Sequence, residues 1–364
     1  MNCPLCQWQK FSLVYEVQNI PVFQNKVYET TEAAQNAQTA NVSLMLCQNC
    51  GFVFNAEFDM SIMNYDAQYQ NEQAHSPCFQ DYLNDIINLF KKKSLHTKKI
   101  IEIGCGKGYF LENLQKHGFN VTGFDPAYEG NNPYIIKDYF SEKYSHLNGD
   151  VIIMRHILEH IQNPLNFLHN IAKSVDYKGM IFIEVPSFEW ILQKKAFWDI
   201  FYEHCNYFTF ESLGNLFDKS EQGYLFNRQY MYLLSDLSDL RTQAKSSEVN
   251  VNREVINNFN DHLKHYQSFV QKYRQILVWG GGAKGSTFVN LMDPYRQHIS
   301  YIIDINPKKQ NQYIAKTAHK IVSPYILNHL KNGDIFIMNE NYYEEIKREV
   351  GMSNFKLFVL GADL

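Results

Sequence analysis

The sequence has no run of about 18 consecutive apolar residues, so no membrane-crossing helix is expected. It has no positive excess either. Its 34 Lys and Arg face 38 Asp and Glu, a formal charge of -4, which gives no electrostatic reason to expect nucleic acid. The start, MNCPLCQWQK, lacks the apolar core of a secretion signal. There is no internal repeat and no long disordered tract. A cytoplasmic protein is expected, without a membrane partner. Its seven cysteines then read as thiols or metal ligands rather than disulfides. The length of 364 residues suggests two or three domains. The oligomeric state stays open, and a monomer is compatible with the sequence.

What is present centres on Lys98 to Leu111, KKIIEIGCGKGYFL. Ile100, Ile101 and Ile103 make a short buried strand. Gly104, Gly106 and Gly108 turn the chain and let a ligand approach the backbone. Tyr109 to Leu111 start a helix whose first N–H groups are unpaired. Glu102 precedes the first glycine. The next strand, Asn120 to Phe124, ends in Asp125, which lies 17 positions past Gly108 and is followed by Pro126. An acidic residue there can accept from both hydroxyls of a ribose. A bare strand–turn–helix, or a different nucleotide ligand, would read the same way.

Cys3-x-x-Cys6 and Cys47-x-x-Cys50-Gly51 can close a tetrahedral thiolate site around structural zinc. A redox pair or metal-free thiols are the rivals. The 40 residues between the pairs exceed the usual ribbon loop and imply an inserted hairpin or subdomain. Gly51 to Gln80 is an aromatic connector in which Tyr65 and Tyr69 could share a helix face. A helix is expected over Asp81 to Lys93.

Strands at Asp150–Met154 and Met180–Pro186 continue a doubly wound pattern. Ligands in such sheets sit at the carboxyl ends of strands. That groups Gly104 to Gly108, Asp125, Arg155, His156 and Glu184 around one crevice. His160 reads as a packed or surface histidine. In the aromatic run Phe197 to Phe208, the pair Glu203–His204 fits core packing and base catalysis equally.

A helix with one apolar face is expected over Glu248 to Tyr273. Gly280-x-Gly282-x-x-Gly285 then follows a strand, and Asp304 lies 19 positions beyond Gly285. This is the better dinucleotide fingerprint of the two, so an NAD-dependent oxidoreductase is a second reading. Lys284 inside the loop suits a phosphate or single nucleotide as well. Further strands are expected at Asp334–Met338 and Phe355–Leu360. The stretch Ile314 to His319 lacks the glycine expected in a loop.

The order of these pieces resembles the three-domain S-adenosylmethionine (SAM)-dependent C-methyltransferases of nucleotide-activated deoxysugars. The resemblance rests on Cys3-x-x-Cys6, Cys47-x-x-Cys50-Gly51, Tyr65-x-x-x-Tyr69, Glu102-Ile-Gly-Cys-Gly-x-Gly108 and Leu158-Glu-His-Ile-x-Asn-Pro164. It continues through Glu184-Val-Pro186, Glu203-His-x-x-Tyr-Phe208, Gly280-x-x-Ala-Lys284-Gly285, Asp304-x-Asn-Pro-Lys308 and Asn341-Tyr-x-x-Glu345-Ile346.

The resemblance implies an α/β class I SAM methyltransferase core (71–235). It adds an N-terminal zinc-binding domain (1–70) and a C-terminal Rossmann-like domain that binds the sugar nucleotide without NAD (236–364). His204 becomes the base and Glu203 its companion, acting on a 4-keto sugar nucleotide through an enolate. Glu102, Gly104, Gly106, Gly108, Asp125, Pro126, Arg155 and His156 become the SAM site. Tyr69, Glu184, Lys284, Asn306 and Asn341 become substrate contacts. Methylation at nitrogen or oxygen of a related precursor is the alternative. There is one departure. Family members often read Tyr-x-Glu-His, whereas here Phe201 takes that place. Tyr202 or Tyr65 is then the candidate to touch the ketone oxygen.

Overall fold

Three runs of β-branched residues lie side by side at the centre of the molecule, and each is buried on both faces as a parallel strand requires. They belong to the strands Lys99–Ile103, Val151–Arg155 and Met180–Pro186. The protein is seen here as a computed structural model describing residues 1–64, 69–70, 72, 74–247, 253–273, 275–351 and 354–362. Lys99–Ile103 pairs in parallel with Asn120–Phe124 and Val151–Arg155, and Ile135–Ile136 extends the far side. Met180–Pro186 follows Val151–Arg155 in parallel. The sheet of seven closes with Tyr230–Asp236, antiparallel to Met180–Pro186, and then Glu221–Leu225. One reversed strand in an otherwise parallel doubly wound sheet is the class I SAM methyltransferase fold.

The helix before the glycine strand spans Pro77–Lys92, four residues earlier than expected. The Ser76 hydroxyl caps it by accepting from Phe79 N–H, and Pro77 sets its first turn. Its buried face, Tyr82, Leu83, Ile86, Ile87 and Phe90, keeps three- and four-residue spacing. The long helix of the third region spans Arg253–Val270.

The segment between the two cysteine pairs is the expected inserted hairpin. Phe11–Pro21 pairs antiparallel with Thr39–Cys47, and Val53–Asn55 adds beside it. The fourth strand of this sheet comes from far along the chain: Asn206–Tyr207 pairs antiparallel with Phe54 and Val53. Tyr69 is not on a helix. It sits in an extended bridge with Lys26. Tyr65 lies outside the described residues.

In the third region five parallel strands carry the second glycine loop. Their order is Ile321–Val322, Ile299–Ile303, Ile276–Trp279, Gly333–Ile337, Phe355–Val359. Tyr313–Ile314 pairs with Val27–Tyr28 of the N-terminal region. Lys316 and Ala318, where a glycine was expected, themselves take left-handed backbone, with φ 65° and 52°.

Candidate active site

The first glycine turn is built as its sequence requires. Gly104, Gly106 and Gly108 all have positive φ, at 70°, 55° and 82°. A Cβ on Gly104 would meet Ile157 Cδ1 at 2.1 Å, whereas a Cβ on Gly106 would meet nothing within 4 Å. The inner glycine thus packs against the loop after Val151–Arg155, and the middle one faces open space. Asp125 locks the turn from the next strand. Its carboxylate accepts the Gly106 and Ala127 N–H groups, each at 2.8 Å. Burial raises the Asp125 carboxyl above its ordinary range. Pro126 stands exposed beside it. Glu102 is buried under the turn, and burial pushes its carboxyl up to about 7.

Four residues expected at ligands are instead tied to protein. Glu184 is fully buried. It receives Arg155 Nε at 2.6 Å and the Tyr82 hydroxyl, with His156 Nε2 at 3.4 Å. Arg155 also donates to the Tyr82 hydroxyl at 2.9 Å and lies 4.3 Å above the Phe110 ring. Its guanidinium therefore fastens the sheet edge to the helix after the glycine turn, and Glu184 has no free face for a substrate. Lys284 forms a part-buried ion pair with Asp199 and stands over the Trp190 ring. Asn341 is saturated by the turn at 226–229. It donates to Phe226 O at 3.2 Å and Gln229 Oε1 at 3.0 Å, and accepts from Asn227 Nδ2 at 2.7 Å.

Tyr202 is also committed elsewhere. Its hydroxyl donates to Glu57 O at 3.3 Å and accepts Asp59 N–H at 2.7 Å, with the ring packed on Phe58. It holds the aromatic connector and does not supply a free phenol. Tyr69 engages the Glu203 carboxylate, and so do the Gln24 amide, at 2.8 Å, and the Asn25 amide. Asn306 keeps an unpaired, buried Nδ2.

His204 is half-buried. Its ring meets Phe201 at 4.4 Å and His160 edge-on at 4.8 Å between centroids. Burial, then the neighbouring His160, His156 and Lys284, hold it well below the usual histidine range, so it is neutral near pH 7. His160 is not a bystander. Its Nδ1 contacts Glu203 O at 2.9 Å, and ligand atoms of Glu159, His160 and His204 lie within 4.8 Å of one another. Asn206 fixes this arrangement by donating to Leu158 O at 3.0 Å and Ile161 O at 2.6 Å. Sequence reasoning read His160 as a packed or surface histidine and gave Glu159 no role, although both lie in the loop after a strand's carboxyl end, where ligands collect.

The second glycine loop repeats the first in outline. Gly281 N–H donates to Asp304 at 2.8 Å. A Cβ on Gly285 would stand 1.8 Å from Gly280 O, so that glycine serves helix–strand contact. Lys309, missed from sequence, is buried above the loop, with its ammonium 3.4 Å from Gly281 O and 3.9 Å from Asp304.

The four cysteines Cys3, Cys6, Cys47 and Cys50 form a buried cluster, with Sγ–Sγ distances of 3.6 Å (Cys3–Cys50) and 3.5 Å (Cys6–Cys47).

Residues 70–221 match the family model described as methyltransferase domain, and residues 241–354 the one described as C-methyltransferase C-terminal domain. The chain carries both domain types in tandem. The second match covers the Gly280 loop. The ubiquinone biosynthesis O-methyltransferase of Rickettsia bellii is 30% identical over 115 residues, covering 28% of this chain and 48% of that protein. The protein of the same name from Vibrio vulnificus is 29% identical over 142 residues, covering 34% and 57%. The chain thus spans about half the length of the curated relatives it matches. Among solved structures, the magnesium protoporphyrin IX methyltransferase of Synechocystis PCC 6803 with bound SAH is 17% identical. The match covers 47% of this chain and 89% of that one, at a TM-score of 0.33.

Proposed function

We propose that this chain is a SAM-dependent C-methyltransferase whose acceptor is a 4-keto deoxysugar nucleotide, with His204 as the base. It is organised as a zinc-binding part (1–70), a methyltransferase part (71–235) and a substrate-binding part (236–364). One observation carries the reading. The loop Arg155–His160 packs Ile157 on Gly104 of the open glycine turn at one end and sets His160 against His204 at the other. Donor cradle and neutral imidazole are therefore held by one short segment.

The residues present fit SAM. The turn Gly104–Gly108 has open space at Gly106, and Asp125 offers carboxylate lone pairs at the rim to a ribose. SAM supplies a sulfonium methyl that an electron-rich carbon displaces, leaving S-adenosylhomocysteine. The chain makes that carbon electron-rich. Neutral His204 takes the proton from the carbon beside the ketone, and the electron pair moves to the ketone oxygen as an enolate. Such a base contributes about 10²–10⁴-fold. Asn306 Nδ2 and the Lys309 ammonium suit the acceptor's phosphates. Phe201 leaves the ketone oxygen without the expected phenol; the Tyr202 hydroxyl is bonded to the Glu57 carbonyl and the Asp59 N–H, which favours Tyr65 as its replacement.

The cysteine cluster fits structural zinc. Tetrahedral Zn–S bonds of about 2.3 Å put sulfurs roughly 3.8 Å apart, close to the separations found. Four thiolates leave no open position, so the metal would support folding only.

Radiolabelled SAM with a panel of 4-keto sugar nucleotides tests the reaction. Label should enter a carbon–carbon bond with wild type and not with His204→Ala, which still binds S-adenosylhomocysteine in calorimetry. Absence of binding at millimolar ligand rejects the methyltransferase reading. The O-methyltransferase names of the relatives favour the second reading, transfer to a hydroxyl. There label would enter without exchange of the proton beside the ketone.

A further inference from the structure

The carboxylate named beside the base by sequence is Glu203, whose Oε1 accepts the Gln24 N–H while Oε2 is buried. The Gln24 and Asn25 amides and Tyr69 engage it from the N-terminal region. Another carboxylate lies nearby. Glu159 is 1% exposed, and its oxygens have no partner closer than His156 Nδ1, 3.4 Å from Oε1. A buried carboxylate with so little compensation carries a desolvation cost, of several kcal/mol in general. Such a group persists where it meets a charge that comes and goes.

The surroundings supply that charge. A Glu159 oxygen and a ring nitrogen each of His160 and His204 lie within 4.8 Å of one another. His156 Nδ1 stands 3.4 Å from Glu159 Oε1 on the other side. The contact of His160 Nδ1 with Glu203 O leaves its Nε2 directed elsewhere. The remaining groups facing His204 are Lys284, whose ammonium is paired with Asp199, and the rings of Phe201 and Tyr207. Cys205 donates to the Glu159 carbonyl at 3.4 Å. Of the carboxylates around the pair, Asp199 is bonded to Lys284 and Glu203 accepts the Gln24 N–H, whereas Glu159 puts an oxygen within 4.8 Å of a ring nitrogen of each histidine.

We propose that Glu159 is the positioning carboxylate of the base: its anion stabilises the His204–His160 pair when His204 has taken the substrate proton. This rests on the reading of His204 as base. The proton stays on the imidazole pair, and no bond to Glu159 forms or breaks. The closest general parallel is the buried carboxylate that steadies a catalytic histidine without being protonated itself.

Histidine ring NMR on the full chain tests it without a substrate. His204 and His160 resonances are assigned by loss in His204→Gln and His160→Gln. In wild type the pair should take up its proton at higher pH than in Glu159→Gln, with Glu159→Asp between the two and Glu203→Gln closer to wild type than to Glu159→Gln. The same titration in wild type and Glu159→Gln overturns the proposal, as does a larger fall in Glu203→Gln than in Glu159→Gln. Selective Mn²⁺ broadening of both rings at micromolar metal, abolished by Glu159→Gln, also overturns it, since it would make the three residues metal ligands. With a turnover assay, Glu159→Gln should lower kcat about tenfold or more, shift the pH profile and leave KM near wild type. Unaltered methyl transfer in His204→Gln would instead reject the base assignment itself, whatever the NMR shows.

Discussion

Gly104 has no room for a side chain because Ile157 lies against it: a Cβ there would stand 2.1 Å from Ile157 Cδ1. Gly104→Ala should therefore push the Arg155–His160 loop away from the turn. Adding the positive-φ strain, a loss of about 1–3 kcal/mol is expected. Gly106→Ala has similar strain but open space, so its stability loss should be near 1 kcal/mol. Its methyl would enter the side facing the ligand. Thermal unfolding and calorimetry with S-adenosylhomocysteine separate the two. Gly104→Ala should lose both stability and affinity, and Gly106→Ala mainly affinity, by tenfold or more. An unchanged affinity in Gly106→Ala would move the donor away from this turn.

Glu102 makes stability depend on pH. Its carboxyl is pushed up to about 7 by burial, from an ordinary value near 4.5. The folded chain then holds a proton that the unfolded chain releases. The associated stability is complete below about pH 4.5 and is lost as pH rises through 7. The full effect is about 3 kcal/mol. Glu102→Gln should flatten the fall in stability between pH 5 and 8, followed by denaturant midpoints. An equally steep fall in the variant would place the proton elsewhere.

Both cysteine knuckles are bonded to the segment leading into the third region. Ala244 N–H donates to Leu5 O at 3.1 Å, and Ser247 N–H donates to Asn49 O at 2.9 Å. Metal analysis should return about one zinc per chain. A strong chelator, or Cys47→Ser, should remove the metal, lower the unfolding temperature and expose residues 241–247 to limited proteolysis. A chain that keeps its cleavage pattern after losing the metal would show that the thiols alone suffice.

Tyr202→Phe distinguishes a structural phenol from a catalytic one. It removes the acceptor of the Asp59 N–H, so a stability loss of about 1–2 kcal/mol is expected. Methyl transfer per folded molecule should stay within about twofold of wild type. A hundredfold fall in kcat would return Tyr202 to the reaction.

The central sheet was legible because its strands are short, mostly apolar runs, unbroken in Val151–Met154, that end near glycine or charge. The hairpin Glu221–Asp236 was not. Its turn, Phe226-Asn227-Arg228, has no glycine or proline, yet all three residues take left-handed backbone, with φ 49°, 53° and 68°. Asn341 and Asn339 hold that turn from more than a hundred residues away, and local sequence cannot display such support. The same gap hid the protein partners of Asn341, Arg155, Glu184 and Lys284. Their type and position suited ligands, but whether a polar group is already satisfied depends on partners brought by tertiary structure. Glu159 and His160 show the converse. An ordinary dipeptide becomes a candidate for chemistry only when Asn206 ties its turn to the strand after His204.

That strand has a further consequence. Because Asn206–Tyr207 completes the sheet of the cysteine-bearing hairpin, the N-terminal region is no detachable appendage. Deleting it would unpair the very backbone that follows the imidazole. Grafting it onto another methyltransferase would bring a sheet with an empty edge, because this one is completed by two stretches of chain about 150 residues apart.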